Sequence, residues 1–216
     1  MPSPLPPDPT TTATPGEDLG YTGELGRKGL HLLTLLVPLG MAWFGRTTAL
    51  LVLTPLAAMA VGADVLRSRS PAFHAWIDRR FGPLMRRSER AGPGGPVIVN
   101  GATWVLVSAT LLTLLFPVRI GATALGTFMV ADAAAALVGR RLGRHRWPGG
   151  LRTVEGSLAF VVAGLGVMTW LGVPSGTGAV AVVAGAAAEA LPGPLNDNLR
   201  VPLVMAFLLF LLAPGP

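Results

Sequence analysis

Cysteine is absent from this 216-residue chain, lysine occurs once, and only 13% of the residues are charged. Without cysteine no disulfide scaffold can form. A soluble domain is about 25% charged, so a chain with half that fraction is not a soluble globular enzyme. The 28 Gly and 20 Pro interrupt helices too often for a coiled coil. Familiar catalytic strings are missing as well. A Walker A loop requires Gly-Lys-Ser/Thr, yet the single Lys28 precedes Gly29, and no HExxH, GxSxG or post-strand GxGxxG occurs. His31, His74 and His145 are too scattered to frame a zinc site.

What is present is apolar. Hydrophobic residues make up 51% of the chain and the mean hydropathy is +0.57, which points to an integral membrane protein of one domain. Residues 1–20, rich in Pro and Thr, cannot bury a core and are predicted to be a disordered tail. They lack a basic start followed by an apolar run, so no signal peptide is expected. Apolar runs then fall at about Gly29–Phe44, Thr47–Leu66, Val97–Phe116, Ile120–Val138, Gly156–Val173, Thr177–Leu191 and Val201–Ala213. The predicted fold is all-α, a polytopic membrane protein of about seven transmembrane helices. A span needs about 20 apolar residues, so the first run and the last two must extend into polar flanks or cross a thinned bilayer.

The cations test that count. With loops assigned alternately to the two sides, fifteen of the seventeen Lys and Arg fall on the side of the N-terminus, and only Arg46 and Arg119 fall on the other. This positive-inside bias places the N-terminus in the cytoplasm and the C-terminus outside. The net charge of +6 and the pI near 11.4 follow from topology and call for no nucleic acid. In the longest loop, Phe73, Trp76, Ile77, Phe81, Leu84 and Met85 recur at helical spacing among Arg79, Arg80, Arg86 and Arg87. That pattern predicts a helix lying in the cytoplasmic interface, kinked at Gly82-Pro83.

Four polar clusters stand where hydropathy disfavours them. Glu24, Arg27, Lys28 and His31 share one helix face at the mouth of the first span. As the lone lysine, Lys28 offers a compact point charge suited to a phosphate, although an Arg-Lys pair also serves as a topological anchor. Asp132 lies inside the fourth span, where a carboxylate is costly and marks function, or pairs with an Arg to hold helices together. The small residues Ala133 to Ala136 and then Gly139-Arg140-Arg141 follow it. Arg152-Thr153-Val154-Glu155-Gly156-Ser157 opens the fifth span, where a capped helix start offers free N–H groups to an anion; Glu155 is equally a favourable first-turn charge. Glu189, Asn196, Asp197 and Asn198 supply the hard oxygens that suit Mg²⁺, or form an ordinary polar turn. All four clusters fall on the predicted cytoplasmic side, which makes a site for a nucleotide with its metal beside an apolar substrate held between helices.

These strings, Glu24-x-x-Arg27-Lys28-x-x-His31, Asp132 with Gly139-Arg140, Arg152-Thr153-x-Glu155-Gly156-Ser157, and Glu189-x-Leu191-Pro192 followed by Asp197-Asn198-Leu199-x-Val201-Pro202, resemble the polyprenol kinase family. That family includes dolichol kinases, phytol kinases and CTP-dependent diacylglycerol kinases, and its fold resembles that of CDP-diacylglycerol synthases. The resemblance runs from Gly20 to the end. It implies CTP as phosphoryl donor. Two positions depart from the pattern: Ala131 replaces the Gly that usually precedes the Asp, and Arg152 replaces the usual Lys before Ser/Thr.

The expected function is therefore a membrane-embedded lipid kinase over residues 21–216, acting at the cytoplasmic face of the cell membrane. It would transfer the γ-phosphoryl of a nucleoside triphosphate to a lipid alcohol such as phytol, a polyprenol or diacylglycerol. Asp132, Lys28, Arg27 and Glu155 are the expected catalytic residues. Arg27, Lys28, Gly139, Arg140, Arg152 and Thr153 would hold phosphates, and Asp132, Asp197, Glu189 and Asn198 a Mg²⁺. Glu24 and His31 would support them. Two alternatives stand beside this reading: a cytidylyltransferase that forms a CDP-lipid, and a small transporter that uses Asp132 as an ion site. Against the first, the Lys-Asp and Gly-His-Gly-Gly-type strings of CDP-diacylglycerol synthases are absent. Against the second, the polar residues gather at one face and do not cross the membrane.

Overall fold

The computed structural model describes residues 29, 33–82, 94–148, 152–193 and 195–213. Over these residues the chain is all-helical. The order is α1 (Leu36–Arg69), α2 (Pro71–Phe81), α3 (Gly101–Leu115), α4 (Val118–Leu142), α5 (Val154–Trp170), α6 (Ser175–Ala190) and α7 (Asp197–Leu211). The β pairing among the described residues is an isolated bridge between Arg146 and Thr153.

Helix starts follow the residues available to satisfy free N–H groups. Ser70 caps α2 ahead of Pro71, and the Asn100 side chain accepts from Ala102 and Thr103 N–H at 2.9 and 3.1 Å. Thr153 accepts from Gly156 N–H at 3.1 Å and Asn196 from Asn198 N–H at 3.0 Å. A polar cap of this kind contributes about 1 kcal/mol. α4 and α6 instead begin after Pro117 and Pro174, with no side-chain cap. The five apolar runs expected from Val97 onward reappear as α3 to α7 with ends moved by at most four residues, largely because Asn100, Thr153 and Asn196 set the starts.

The first two expected spans form one helical element interrupted at Gly45, whose φ of 76° and ψ of 179° are not helical. Few residues but glycine adopt that φ. The limbs run in opposite senses relative to α4. In the first limb, Thr34 meets Met129 and Pro38 lies against Gly126, so this limb is antiparallel to α4. In the second, Arg46 donates to the Leu114 carbonyl at 2.7 Å while Asp64 binds Asn100, so this limb is antiparallel to α3 and parallel to α4. The chain reverses at Gly45.

α4 is the central helix and packs against α1, α3, α5 and α7, while α7 also packs against α3 and α6. Leu125, Phe128, Met129, Phe160 and Met205 fill the core. Much of the rest of the interior is small or hydroxylated: Thr103, Ser108, Thr113, Thr127, Ala109 and Ala131 are buried, while Leu51, Leu158, Val162, Val183, Phe207 and Phe210 are exposed. Glycines let the helices close. A Cβ on Gly164 would lie 2.8 Å from Val182 Cγ1, and one on Gly185 would lie 2.9 Å from Met205. α1 and α4 are long and apolar enough to cross a membrane. α3, α5, α6 and α7 are 15, 17, 16 and 15 residues long, shorter than the roughly 20 that a span takes without help from its flanks.

The helix expected in the long loop is α2, with Phe73 and Trp76 stacked at 5.8 Å. It ends at Phe81, with Gly82 as its C-cap. The remainder of that expected segment, residues 83–90 with Leu84, Met85, Arg86 and Arg87, lies outside the described residues.

Candidate active site

Caps and carboxylates collect at one end of the bundle, where α1, α4 and α6 finish and α3, α5 and α7 start. Arg152, just ahead of α5, is the hub. Its guanidinium reaches Glu189 Oε1 at 3.2 Å and Asp197 Oδ2 at 2.8 Å. Asp197 is also gripped from its own helix, by Arg200 at 2.7 Å, and Arg200 donates to the Leu191 carbonyl at 2.9 Å. Glu189 and Asp132 are both buried, 5% and 6% exposed. Burial opposes the Arg152 charge, but the Glu189, Asp132 and Asp197 carboxylates together outweigh it and hold the guanidinium above its ordinary pKa. Arg152, Glu189, Asp197 and Arg200 line a cleft of about 380 Å³ whose far wall is the Leu191-Pro192-Gly193 turn. Arg200 Nε is buried without a hydrogen-bond partner among the described residues.

The Arg152 backbone is held by the loop joining α4 to α5. Trp147 N–H donates to the Arg152 carbonyl at 3.1 Å, Val154 N–H donates to the His145 carbonyl at 2.8 Å, and Trp147 Nε1 donates to Ser157 Oγ at 3.0 Å. Glu155 belongs to this brace. It takes the His145 ring nitrogen at 2.7 Å and the His145 N–H at 3.3 Å. The His145 contact is the largest cause that holds the Glu155 carboxyl down to about 2.

The expected residues from Asp132 onward each have a place. Asp132, Arg152, Glu189 and Asp197 are brought together around the guanidinium. Thr153 caps α5 and sits in a tight crossing: a Cβ on Gly139 would lie 2.8 Å from Thr153 Oγ1, and one on Gly156 would lie 3.0 Å from the Ala135 carbonyl. Gly139 thus sets the spacing of α4 and α5 at the site. Arg140 is exposed on the last turn of α4. Glu155 is turned toward His145, and Asn198 donates its amide to the Gly101 carbonyl at 3.1 Å. Glu24, Arg27, Lys28 and His31 lie outside the described residues.

Sequence reasoning missed Asp64, Arg67, Asn100 and Thr103, all at the same end. Asp64 Oδ1 accepts from Asn100 Nδ2 at 2.8 Å, and Oδ2 accepts from Thr103 Oγ1 at 2.7 Å and Asn100 N–H at 3.1 Å. Arg67, as buried as Asp64, adds its charge at 3.9 Å. The signal was available: a carboxylate late in an apolar run carries the same meaning at Asp64 as at Asp132.

The comparisons with known proteins agree with the class the motifs resemble. The chain is 29% identical to CTP-dependent diacylglycerol kinase 1 of Schizosaccharomyces pombe over 171 residues, 71% of this chain and 76% of that protein. It is 33% identical to dolichol kinase of Saccharomyces cerevisiae over 79 residues, 37% of this chain but only 14% of the yeast protein. An uncharacterized protein of Rickettsia prowazekii is 24% identical over 195 residues, covering 87% of this chain and 92% of its own length. No family model and no solved structure matches the chain. The chain is thus similar to proteins named as lipid kinases, a diacylglycerol kinase and a dolichol kinase.

Proposed function

We propose that the protein is a multi-pass membrane kinase that transfers the γ-phosphoryl group of a nucleoside triphosphate, CTP by analogy with its relatives, to the hydroxyl of a membrane lipid at the cytoplasmic face. The observation that carries this reading is the buried-edge guanidinium of Arg152, shared by Glu189 and Asp197 within the field of Asp132 at the mouth of a cleft. Phosphoryl transfer is mainly positioning and charge neutralisation. The lipid oxygen bonds to the γ-phosphorus, the bond from that phosphorus to the β–γ bridging oxygen breaks, the hydroxyl proton leaves, and the nucleoside diphosphate departs. Arg152 and the Arg200 Nε would offer the cleft N–H donors suited to phosphate oxygens, with Arg27, Lys28 and Arg140 as further cations. Asp132 would orient the alcohol.

A Mg²⁺ arriving with the nucleotide would meet Glu189 and Asp197, the carboxylates that ion-pair with Arg152 and Arg200. Among the described residues no three acidic or imidazole side chains form a closed cage. Mg²⁺ commonly takes only one or two carboxylates and completes its shell with phosphates and water. Asp197 and Glu189, with Asp132 nearby, would hold it, and the ion would neutralise charge on the β- and γ-phosphates.

Several features support the membrane placement. Seven apolar segments, counting the two limbs of α1, alternate in direction, and α2 stays at the carboxylate end. An apolar exterior over an interior rich in small residues is the pattern of helices packed in lipid. Trp43 and Trp170, 86% and 81% exposed, suit a headgroup belt. Reporters fused after Arg80 and Arg146 should be cytoplasmic and one at Ser175 exported; a cytoplasmic Ser175 reporter overturns the topology.

The function is tested by incubating purified protein with labelled CTP or ATP and a panel of lipid alcohols. A phosphorylated lipid with nucleoside diphosphate as co-product supports the kinase. Pyrophosphate and a CDP-lipid would make it a cytidylyltransferase. Uptake into liposomes without nucleotide would make it a transporter.

A further inference from the structure

Asp64 stands at the end of α1, away from the Arg152 cluster, and no step of the proposed transfer uses it. It is 4% exposed, and both its oxygens are occupied: Oδ1 by Asn100 Nδ2 at 2.8 Å, and Oδ2 by Thr103 Oγ1 at 2.7 Å and Asn100 N–H at 3.1 Å, with Arg67 at 3.9 Å. Three of the roughly four acceptor sites of this buried carboxylate are taken by α3's cap and first turn, so its effect is on position. Asn100 is itself the cap of α3, because its Oδ1 takes the Ala102 and Thr103 N–H groups. Asp64 therefore fixes both the rotamer of the cap and the first turn of the helix it starts.

That first turn is connected directly to the site. The Gly101 carbonyl accepts the Asn198 amide at 3.1 Å, and a Cβ on Gly101 would lie 3.3 Å from that same nitrogen. A side chain at position 101 would crowd this contact by a few tenths of an ångström. Asn198 adjoins Asp197, which pairs with Arg152 at 2.8 Å. An unbroken series of hydrogen bonds and covalent neighbours thus runs from Asp64 through Asn100 and Gly101 to Asn198 and Asp197.

We propose that Asp64 is a positioning residue: acting through Asn100, the start of α3 and Asn198, it sets the register of α7 that places Asp197 against Arg152. The kinetic consequence rests on the lipid-kinase reading. The structural one does not. Releasing the α3–α7 contact lets Asp197 drift from Arg152, and displacements on the order of 1 Å at a reacting site cost up to about a hundredfold in rate.

The test uses Asp64→Asn, Asn198→Ala and the double variant in the full chain. The absence of native cysteine allows spin labels on cysteines introduced at the exposed positions Arg146, which pairs with Thr153 beside Arg152, and Leu195, two residues before Asp197. The background is expected to give one narrow distance distribution, both single variants a broadened one, and the double variant no more broadening than either single. In the kinase assay, kcat/KM should fall roughly tenfold to a hundredfold in each single variant and no further in the double. Unfolding midpoints of the surviving protein report separately on stability. If Asp64→Asn does not insert, Asn198→Ala tests the far end of the same series, since it leaves the Asp64 network intact. Narrow distances and unchanged kinetics in Asn198→Ala overturn the proposal, as do fully additive losses in the double variant. If the parent chain phosphorylates no lipid but the distances broaden as expected, the kinase reading fails and the positioning role stands.

Discussion

The two ends of the bundle are built from different chemistry. At one end helices start on the side-chain caps Asn100, Thr153 and Asn196, and the last turns of α1 and α6 bring Asp64 and Glu189 beside them. At the other, α4 and α6 start on Pro117 and Pro174 without side-chain caps, and the chain reverses at Gly45 and passes a second glycine of positive φ, Gly172. Contacts across that end among the described residues include Arg46 on the Leu114 carbonyl, Thr177 Oγ1 on the Leu212 carbonyl at 3.4 Å, and Phe116 edge-on to Phe210 at 6.0 Å. Prolines and glycines turn a chain without recruiting charge. Caps and ion pairs turn it while placing charge at fixed positions. The proline and glycine end closes the fold; the carboxylate end also presents charge at fixed positions.

If that division is right, substitutions at the carboxylate end should dominate function. The largest effect is expected for Asp132→Asn, which keeps the size of the side chain and removes its charge. Phosphorylated lipid should be lost almost entirely while insertion remains normal; near-normal product would make Asp132 a structural residue. Next comes Lys28→Arg. A planar fork presents its donors differently from a compact ammonium, so kcat/KM for the nucleotide should fall by roughly 10²–10³. Wild-type kinetics with confirmed insertion would reduce Lys28 to a topological anchor and leave Arg27 as the leading cation.

Glu155 should give a smaller and pH-dependent effect. Its carboxyl is held down to about 2 from an ordinary 4.5, first by the His145 contact. A depressed carboxyl contributes stability that is fully present above its unfolded value and is lost as pH falls through its folded value. The difference in unfolding midpoint between wild type and Glu155→Gln should therefore be constant above about pH 5 and vanish as pH approaches 2. A difference that persists unchanged at that acidity would detach it from the Glu155 charge. Smallest of all should be Trp170→Ala at the opposite end. A substitution at an exposed site away from any network is usually worth under about 0.5 kcal/mol, or about 2 °C in a chain of this length. A large loss of turnover there would break the comparison between the ends.

The division was half visible in the sequence. The apolar runs located α3 to α7 because hydropathy and caps are local properties, and the bias of cations to one side anticipated that Asp132, Arg152, Glu189 and Asp197 would share an end. Other features needed a partner helix to acquire meaning. Gly139 read as part of a phosphate-binding string, yet its lack of a side chain is what lets Thr153 approach. Glu155 read as a site acid, but the Arg146–Thr153 pairing turns it onto His145, and loop pairing of that kind leaves no periodic trace. The role of Asn198 depends on Gly101, almost a hundred positions earlier. Asp64 was overlooked because its significance lies in Asn100, which hydropathy assigns to a flank.

The interior glycines described above have a further consequence for how this chain tolerates change. In a water-soluble protein the expensive substitutions remove bulk from the centre, and the permissive ones alter the rim. Here the scale runs the other way. One added carbon at Gly164 or Gly185 meets Val182 or Met205 inside contact distance, so side chains between two helices must shift, whereas in the proposed membrane placement shortening the exposed Leu158 or Val162 only exchanges one hydrocarbon for another. Drift among large apolar residues outside is nearly free, and the freedom to grow inside is nearly nil. The spacing of the helices, and with it the distance across the cleft, is gauged by residues that have no side chain to vary.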